Sequence, residues 1–100
     1  MNDSLVSVLV TNLLKNAFVH NMDGGFIHIR ITPSLFEISN KGDKALDSER
    51  IFERFYQGQK KEGSTGLGLA LVDSICKSNR LQIVYAYTEG RHVFTITRQE

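Results

Sequence analysis

The apolar residues at the start of the chain repeat with the period of an α-helix. The fold must therefore include a core helix at the beginning of this sequence. Leucine, valine and alanine recur every four residues in two adjacent rows, and such rows form one broad apolar helix face. Asn2 or Asp3 can cap the first turn. Because a stable domain rarely opens on a core helix, we expect this chain to belong to a longer protein. The rows are Leu5, Leu9, Leu13 and Ala17, and Val6, Val10, Leu14 and Phe18.

Beyond this helix the apolar residues alternate, as they do in a half-buried β-strand. Asp23-Gly24-Gly25 interrupts the helical pattern, and the strand that follows at 26–31 has Ile27, Ile29 and Ile31 on one face. Turn residues then separate three further alternating runs, the last two of which form a hairpin. These strands are predicted at 35–39, 81–88 and 91–97, with turns at Pro33-Ser34 and Glu89-Gly90.

Helices are also predicted between the two pairs of strands. Asp47 or Ser48 can cap a short helix that runs through Phe55, and the apolar pattern of residues 67–77 indicates a longer helix. A helix, two strands, further helices and two more strands predict an α+β fold, in which one sheet is covered on one face by helices. We expect residues 1–100 to form a single domain.

The composition excludes several classes of function. The chain has 100 residues, 41% of them hydrophobic, which is enough for one small core. Its net charge of +1 predicts no binding to nucleic acid and no direct contact with a membrane. The lone Cys76 excludes an internal disulfide and a cysteine-rich zinc site. No apolar run is long enough to span a bilayer and no signal peptide is found, so we expect a cytoplasmic domain.

Three polar residues share one face of the opening helix. Asn12, Asn16 and His20 are spaced four residues apart, beside the apolar rows. The simple interpretation is a solvated helix face. The functional interpretation is a set of carbonyl oxygens for a hard cation that also touches phosphate, because Mg²⁺ takes few protein ligands and completes its shell with water and phosphate oxygens.

A glycine-rich segment, residues 63–69, leads directly into the second long helix. Glycines let a backbone approach an anion, and a helix N-terminus offers free N–H groups. A flexible loop is the simple alternative. Gly68 favours the functional interpretation, because glycine is costly in a helical turn unless something approaches it closely. The segment lacks the P-loop pattern and does not follow a buried strand, as a dinucleotide fingerprint would.

The segment Ile51-Phe52-Glu53-Arg54-Phe55-Tyr56 lies between these two features. Its phenylalanines, three residues apart, are typical of a core helix. They can also anchor a lid whose Arg54, Tyr56 or Lys60 reaches a ligand.

In order and spacing, four segments resemble the sequence boxes of the ATP-binding catalytic domain of sensor histidine kinases, in the GHKL superfamily. The resemblance implies a Bergerat-type two-layer α/β sandwich with a mixed sheet, and ATP bound with Mg²⁺ between the helices, under a lid over residues 56–64. The matches are Asn12-Leu13-Leu14-Lys15-Asn16-Ala17 to the N box, Ile38-Ser39-Asn40-Lys41-Gly42 to the G1 box, Ile51–Tyr56 to the F box and Gly63-Ser64-Thr65-Gly66-Leu67-Gly68-Leu69-Ala70 to the G2 box.

The resemblance also implies a role for each matching residue. Asn16 would be the Mg²⁺ ligand, with Asn12 beside it near the phosphates. Asn40 would meet the adenine amino group in place of the family's aspartate, and Gly42 would let the base enter. The remaining expected nucleotide contacts are Arg54, Tyr56, Lys60, Thr65, Gly66, Leu67 and Gly68, with backbone N–H groups at Gly66 and Gly68 directed at the phosphates.

Three positions depart from the family pattern. Asn40 replaces an aspartate, Lys44 replaces the second glycine of the G1 box, and Val19 replaces a basic residue. The amide oxygen of Asn40 can still accept a hydrogen bond, but its NH₂ group can misorient the contact. These departures predict weaker nucleotide binding, and they keep open the alternative of a non-catalytic docking module with weak or no nucleotide binding.

The expected partners follow from what the sequence lacks. His20, His28 and His92 have no phosphoacceptor context, so we expect the acceptor histidine on a separate dimerisation domain of the parent kinase, which would also engage the response regulator. The chain alone is expected to be monomeric, and a strand before the first helix is expected to be missing.

Two other functions are also considered. One is an autonomous GHKL ATPase, which would need a glutamate where Asn12 stands. The other is an anti-sigma-type serine kinase.

Overall fold

The computed structural model of the chain describes residues 3–21, 24–53 and 68–98, without the side chains of Asp3 and His20. The described residues form two helices and four strands in the order expected of the α+β fold. These elements are α1 (Asp3–His20), β1 (Ile27–Thr32), β2 (Leu35–Lys41), α2 (Gly68–Ser78), β3 (Leu81–Thr88) and β4 (Arg91–Arg98). Within these ranges, neither helix has the length and apolar character needed to cross a membrane.

The strands form one sheet in the order β1-β2-β4-β3, with every neighbouring pair antiparallel. A mixed sheet was expected, but in the described residues the sheet is purely antiparallel. The physical reason is that it consists of two hairpins, whose strands must run in opposite directions, joined through an antiparallel β2–β4 pair. The β3–β4 turn has positive φ at both Glu89 and Gly90, 53° and 74°, as a two-residue hairpin turn requires.

Both helices pack on one face of the sheet, as predicted. The core joins Leu13 of α1 and Val72 of α2 to Ile38 of β2 and Phe94 of β4, all at most 1% exposed. The buried stripe of α1 is narrower than its sequence indicates. The row that contains Leu13 is buried or half-buried, whereas the adjacent row has Phe18 71% exposed. The helix therefore meets the core mainly along the row of Leu13, while Val10 and Leu14 of the adjacent row pack at its margin.

Strand β1 forms one edge of the sheet and is less covered than its alternating pattern predicts. Ile27 is half-buried, but Ile29 and Ile31 are 48% and 71% exposed. They lie on the same face as Ile38, because Ile29 pairs with Ile38 in the register. The helix layer thus covers the β2-β4-β3 part of the sheet and leaves much of the apolar face of β1 open.

The short helix predicted from Asp47 is a turn over its described residues. Arg50 N and Ile51 N both donate to the Asp47 carbonyl, and Asp47 Oδ1 accepts from Glu49 N at 3.0 Å. The aspartate caps the segment as expected. Residues 48–53 form a turn rather than a helix, and the residues that follow are not described. Phe52 contacts the core, with its ring 6.4 Å from that of Phe94 in an edge-on arrangement.

Candidate functional site

The described candidate residues fall into two sets that different elements hold. We call Asn12, Asn16 and Gly68 the helix site, because α1 and the first residue of α2 carry them. We call Asn40 and Gly42, together with Tyr85, Tyr87 and His92, which surround them, the sheet site.

In the helix site, Asn12 approaches the first residue of α2. Asn12 Nδ2 donates to the Val8 carbonyl at 2.8 Å, one turn earlier in α1. A Cβ atom added to Gly68 would lie 3.1 Å from Asn12 Oδ1, tighter than an ordinary contact. The close approach that a glycine at this position predicts is therefore made, among the described residues, by the Asn12 side chain. Asn12, from the segment that matches the N box, thus meets Gly68, from the segment that matches the G2 box, where α2 begins and its first N–H groups lack helical partners.

Asn16 lies one helical turn beyond Asn12 on the same face and is half-buried. Its amide offers a neutral oxygen, the kind of ligand that a hard cation accepts. No cluster of three or more His, Cys, Asp and Glu residues that could hold a metal ion occurs in the described parts of the chain. A hard cation held by the Asn16 oxygen would therefore need its other ligands from phosphate and water, a pattern that Mg²⁺ accepts.

Asn40 lies at the end of β2 with only 2% of its surface exposed. Its Nδ2 donates to the Lys41 carbonyl at 3.2 Å, and within the described residues Oδ1 receives no hydrogen bond. A buried acceptor without a donor is costly and uncommon in folded proteins. The hydrogen bond to Lys41 fixes which end of the amide is engaged, so the oxygen is the atom left to accept from a ligand.

Gly42 is buried and is held by both of its backbone polar groups. Its N–H donates to the Gly90 carbonyl at 3.0 Å, and its carbonyl accepts from the Tyr87 hydroxyl at 2.8 Å. A Cβ atom at Gly42 would overlap the imidazole of His92, with Nε2 the nearest atom. The resemblance implies that Gly42 makes room for a base. In this structure a neighbouring side chain already occupies the space beside its Cα, which is a separate reason for glycine here.

The hydroxyl of Tyr85 connects His92 to the segment after Gly42. It accepts from Leu46 N at 2.9 Å and lies 2.8 Å from His92 Nδ1. Burial raises the pKa of the Tyr85 phenol above its ordinary value, an effect that the Leu46 hydrogen bond partly offsets and that Tyr87 adds to. The phenol therefore keeps its proton at neutral pH. The Tyr85 oxygen thus accepts from Leu46 N and forms a second hydrogen bond with His92 Nδ1.

The other departures from the family pattern lie away from these contacts. Lys44 is exposed at a bend, and Val19 is half-buried near the end of α1. The remaining predicted site residues lie outside the described part of the chain. These are Arg54, Tyr56, Lys60, Thr65, Gly66 and Leu67.

Sequence reasoning missed Tyr85, Tyr87 and His92. It placed His92 in a strand and gave it no role. The available signal was the alternation of β3 and β4, which puts these residues on the same face as Phe94. Three polar-tipped side chains at one end of an apolar strand face indicate a specific set of buried hydrogen bonds.

Cys76, the remaining reactive residue type, is buried in α2 with 1% exposure. Burial raises the pKa of its thiol to about 11, and the nearby Asp73 charge contributes to the increase. A thiol that stays protonated at neutral pH is a poor nucleophile. Cys76 is therefore a core residue.

Comparison with protein families gives a match over nearly the whole chain. The model of the family described as "Histidine kinase-, DNA gyrase B-, and HSP90-like ATPase" matches residues 2–99. The heme sensor protein HssS of Staphylococcus aureus (strain JH9) is 37% identical over 103 aligned residues, which cover 96% of this chain and 22% of that protein. HssS of strain Newman matches to the same extent. The chain thus spans about a fifth of the length of these relatives.

Solved structures show the same fold. A mycobacterial sensor histidine kinase, MprB, superposes on the whole chain with a TM-score of 0.80 and 22% identity, and 77% of the MprB chain is covered. The catalytic domain of histidine kinase ThkA superposes on 96% of the chain with a TM-score of 0.76 and 22% identity, covering 66% of that structure. These similarities confirm the predicted fold class.

Proposed function

Because the chain belongs to the family of histidine kinase-, DNA gyrase B- and HSP90-like ATPases, we propose that it is the nucleotide-binding domain of a sensor histidine kinase. In this proposal it binds Mg-ATP and presents the γ-phosphate to a histidine on a separate dimerisation domain. The sensor relative supports the class of protein, and the two candidate sites support the ligand.

The observation that carries the proposal is the buried oxygen of Asn40. Oδ1 has no hydrogen-bond donor among the described residues, and the engaged NH₂ group keeps the amide from turning around. An adenine amino group is a donor of the required kind, so binding would remove the cost of an unpaired buried acceptor. The hydrogen bond to the Lys41 carbonyl supports an amide whose oxygen is turned toward the ligand.

The helix site would hold the triphosphate end of the ligand. Asn16 would ligate Mg²⁺, which when bound neutralises negative charge on the phosphates. Asn12 and the N-terminus of α2 would lie beside it, since an anion is favoured where helix N–H groups are unpaired. The G2 residues Thr65, Gly66 and Leu67 would add contacts from the segment just before α2.

The chain's own contribution would be to position ATP rather than to accept the phosphoryl group. Among the histidines with described side chains, His28 is exposed on β1 and His92 is buried in the sheet site. In the transfer, the acceptor imidazole nitrogen forms the new N–P bond, the bond from the γ-phosphorus to the bridging oxygen breaks, and ADP leaves. Fixing the γ-phosphate in line with that nitrogen supplies most of what such a reaction requires.

The proposed partners are the dimerisation and phosphoacceptor domain of a parent kinase and, through it, a response regulator. The proposed location is the cytoplasm, with any membrane anchor elsewhere in the parent.

Calorimetric titration of the chain with ADP and with a non-hydrolysable ATP analogue, each with and without Mg²⁺, tests the nucleotide site. We expect micromolar to sub-millimolar binding that Mg²⁺ strengthens for the triphosphate analogue. A folded chain that binds neither nucleotide, alone or within a longer form of the protein, would reject the proposal and favour a docking module.

Transfer is tested separately with ATP labelled at the γ-phosphate. The chain alone should remain unlabelled. Addition of a dimerisation domain that carries an acceptor histidine should give a label on that domain that is labile to acid and stable to base. Label on a serine, stable to acid, would instead support the serine kinase alternative.

A further inference from the structure

The aromatic side chains of the sheet site surround the residues that would bind the base. We call Tyr85, Tyr87 and His92 the aromatic clamp. All three lie on the core face of the β3–β4 hairpin, and Tyr87 is the direct partner of His92 in the register. On the other side, His92 pairs with Asn40 of β2, and both residues are at most 4% exposed. The clamp and the base-binding asparagine are thus joined through one strand pair.

The clamp holds the backbone that follows Asn40 at three points. The Tyr87 hydroxyl donates to the Gly42 carbonyl at 2.8 Å, and the His92 ring occupies the space beside the Gly42 Cα. The Tyr85 hydroxyl accepts from Leu46 N at 2.9 Å. Each contact joins residues that are far apart in sequence, so the shape of the segment depends on the hairpin beneath it.

The members of the clamp are also connected to one another. Tyr85 Oη lies 2.8 Å from His92 Nδ1, and the two rings are 5.9 Å apart between centroids. The centroid of the Tyr87 ring is 5.4 Å from that of the His92 ring. The imidazole therefore contacts both tyrosine rings, and packing and a hydrogen bond determine its position.

These contacts matter for recognition because a hydrogen bond discriminates between ligands only when its donor and acceptor are held in place. Asn40 Nδ2 is bound to the Lys41 carbonyl, and Lys41 directly precedes the clamped Gly42. A shift of Gly42 would therefore move the carbonyl that orients the Asn40 amide. The orientation of the buried oxygen depends on side chains that do not touch it.

We propose that the aromatic clamp is a positioning device that orients Asn40 and thereby sets the selectivity of the nucleotide site for an adenine base. This inference rests on the proposed function, since it concerns how that site distinguishes bases. Tyr85, Tyr87 and His92 act through Gly42 and Lys41 and are positioning residues rather than catalytic ones.

The test compares ADP with IDP, which carries a carbonyl oxygen where adenine carries its amino group. Binding of both is measured for the wild-type chain, for Tyr85→Phe, for Tyr87→Phe and for His92→Leu. We expect the wild type to bind ADP about tenfold more tightly than IDP, since one hydrogen bond is gained and an unfavourable contact avoided. The variants should lose most of this preference through weaker ADP binding, with IDP affinity unchanged.

Two controls separate positioning from general weakening of the fold. Ile83→Val removes a methyl group from the core face of β3, two residues before Tyr85 and away from Gly42. It should lower the melting temperature and leave the ADP-to-IDP ratio intact. His92→Asn retains a group that can hydrogen-bond Tyr85 near the position of Nδ1 and should recover part of the preference that His92→Leu loses.

The outcomes are distinguishable. Variants that stay folded and keep the wild-type ratio would overturn the clamp and leave the proposed function standing, as would a wild type that binds both nucleotides equally. A wild type that binds neither nucleotide would reject the proposed function and the clamp together. If His92→Leu fails to fold, the single hydroxyl deletion in Tyr87→Phe still decides the question.

Discussion

The helix site and the sheet site differ in the contacts that build them. In the helix site, Asn12 and Asn16 are one turn apart on a single helix, and Asn12 donates to a carbonyl four residues away. In the sheet site, the contacts to Gly42 and Leu46 come from tyrosines 45 and 39 residues further along the chain. The helix site depends mainly on local helix geometry, and the sheet site depends on the assembly of the whole sheet.

This difference implies different responses to substitution. A residue on a half-buried helix face can change with little effect on the rest of the molecule. A residue in the sheet site is buried or half-buried among side chains from three strands, so a change there affects stability as well as binding. Predictions for matched substitutions in the two sites test this contrast.

The largest effect is expected from the same substitution at the two glycines. Gly42→Ala should destabilise the fold by about 3 kcal/mol, because the new methyl group would overlap the His92 ring. Gly68→Ala should stay within about 0.5 kcal/mol of the wild type, because a small shift of the Asn12 side chain and the better helix propensity of alanine offset one another. Urea unfolding of both variants measures the difference.

The double variant Gly42→Ala/His92→Ala provides the control for this pair. With the ring removed, the alanine at position 42 should cost no more than about 1 kcal/mol beyond His92→Ala alone. Equal losses at Gly42 and Gly68 would show that the two sites do not differ in the way described.

A smaller effect on stability, but a clear one on binding, is expected at Asn16. Asn16→Asp places a negative charge where the phosphates are proposed to lie and should weaken binding of the Mg-bound ATP analogue by about tenfold or more. The free energy of unfolding should change by less than about 0.5 kcal/mol, because Asn16 is only half-buried on a helix face. Calorimetric titration and urea unfolding of the same sample measure both quantities.

Lys15→Gln is the matched control, since it changes the net charge by the same amount from the neighbouring, exposed position. It should retain nearly wild-type affinity. Normal binding by Asn16→Asp would remove Asn16 from the metal role, and equal loss in both variants would reduce the effect to overall charge.

The smallest effect is a difference in the response to alkaline pH. Burial raises the Tyr85 pKa, so above pH 10 the unfolded chain releases the phenol proton before the folded chain does. The folded state then binds more protons, and its stability falls as the pH rises. Tyr85→Phe should reduce this slope, which urea unfolding between pH 9 and pH 11 measures. Asn16→Ala is the control and should leave the slope unchanged, because no residue of the helix site titrates.

The contrast also explains which parts could be predicted from the sequence. Periodicity located both helices, and Glu89-Gly90 predicted the final hairpin, because these signals are local. The exposure of Phe18 and Ile31 depends on where the helix layer ends, and a local sequence pattern does not predict that edge. The expected mixed sheet came from the resemblance, and the described strands supply only antiparallel pairs.

The candidate site residues likewise divide into those that local sequence signals identified and those that they did not. Asn12, Asn16 and Gly68 were identified from helical spacing and from glycine at a helix start, and the structure brings Asn12 and Gly68 together. His92 could not be assigned a role, because its contacts with Tyr85 and Gly42 exist only after β2, β3 and β4 have aligned. Their register is a property of the complete sheet.

The strand order has a consequence for folding during synthesis on the ribosome. β4 is made last of the described elements, yet it lies between β2 and β3 and is the partner of both. Until β4 emerges, the β1–β2 hairpin and β3 have no strand between them, and Asn40 lacks its strand partner His92. The complete four-stranded sheet can therefore form only when synthesis of this region is nearly finished. A product truncated before β4 would remain an open intermediate that proteases can cleave.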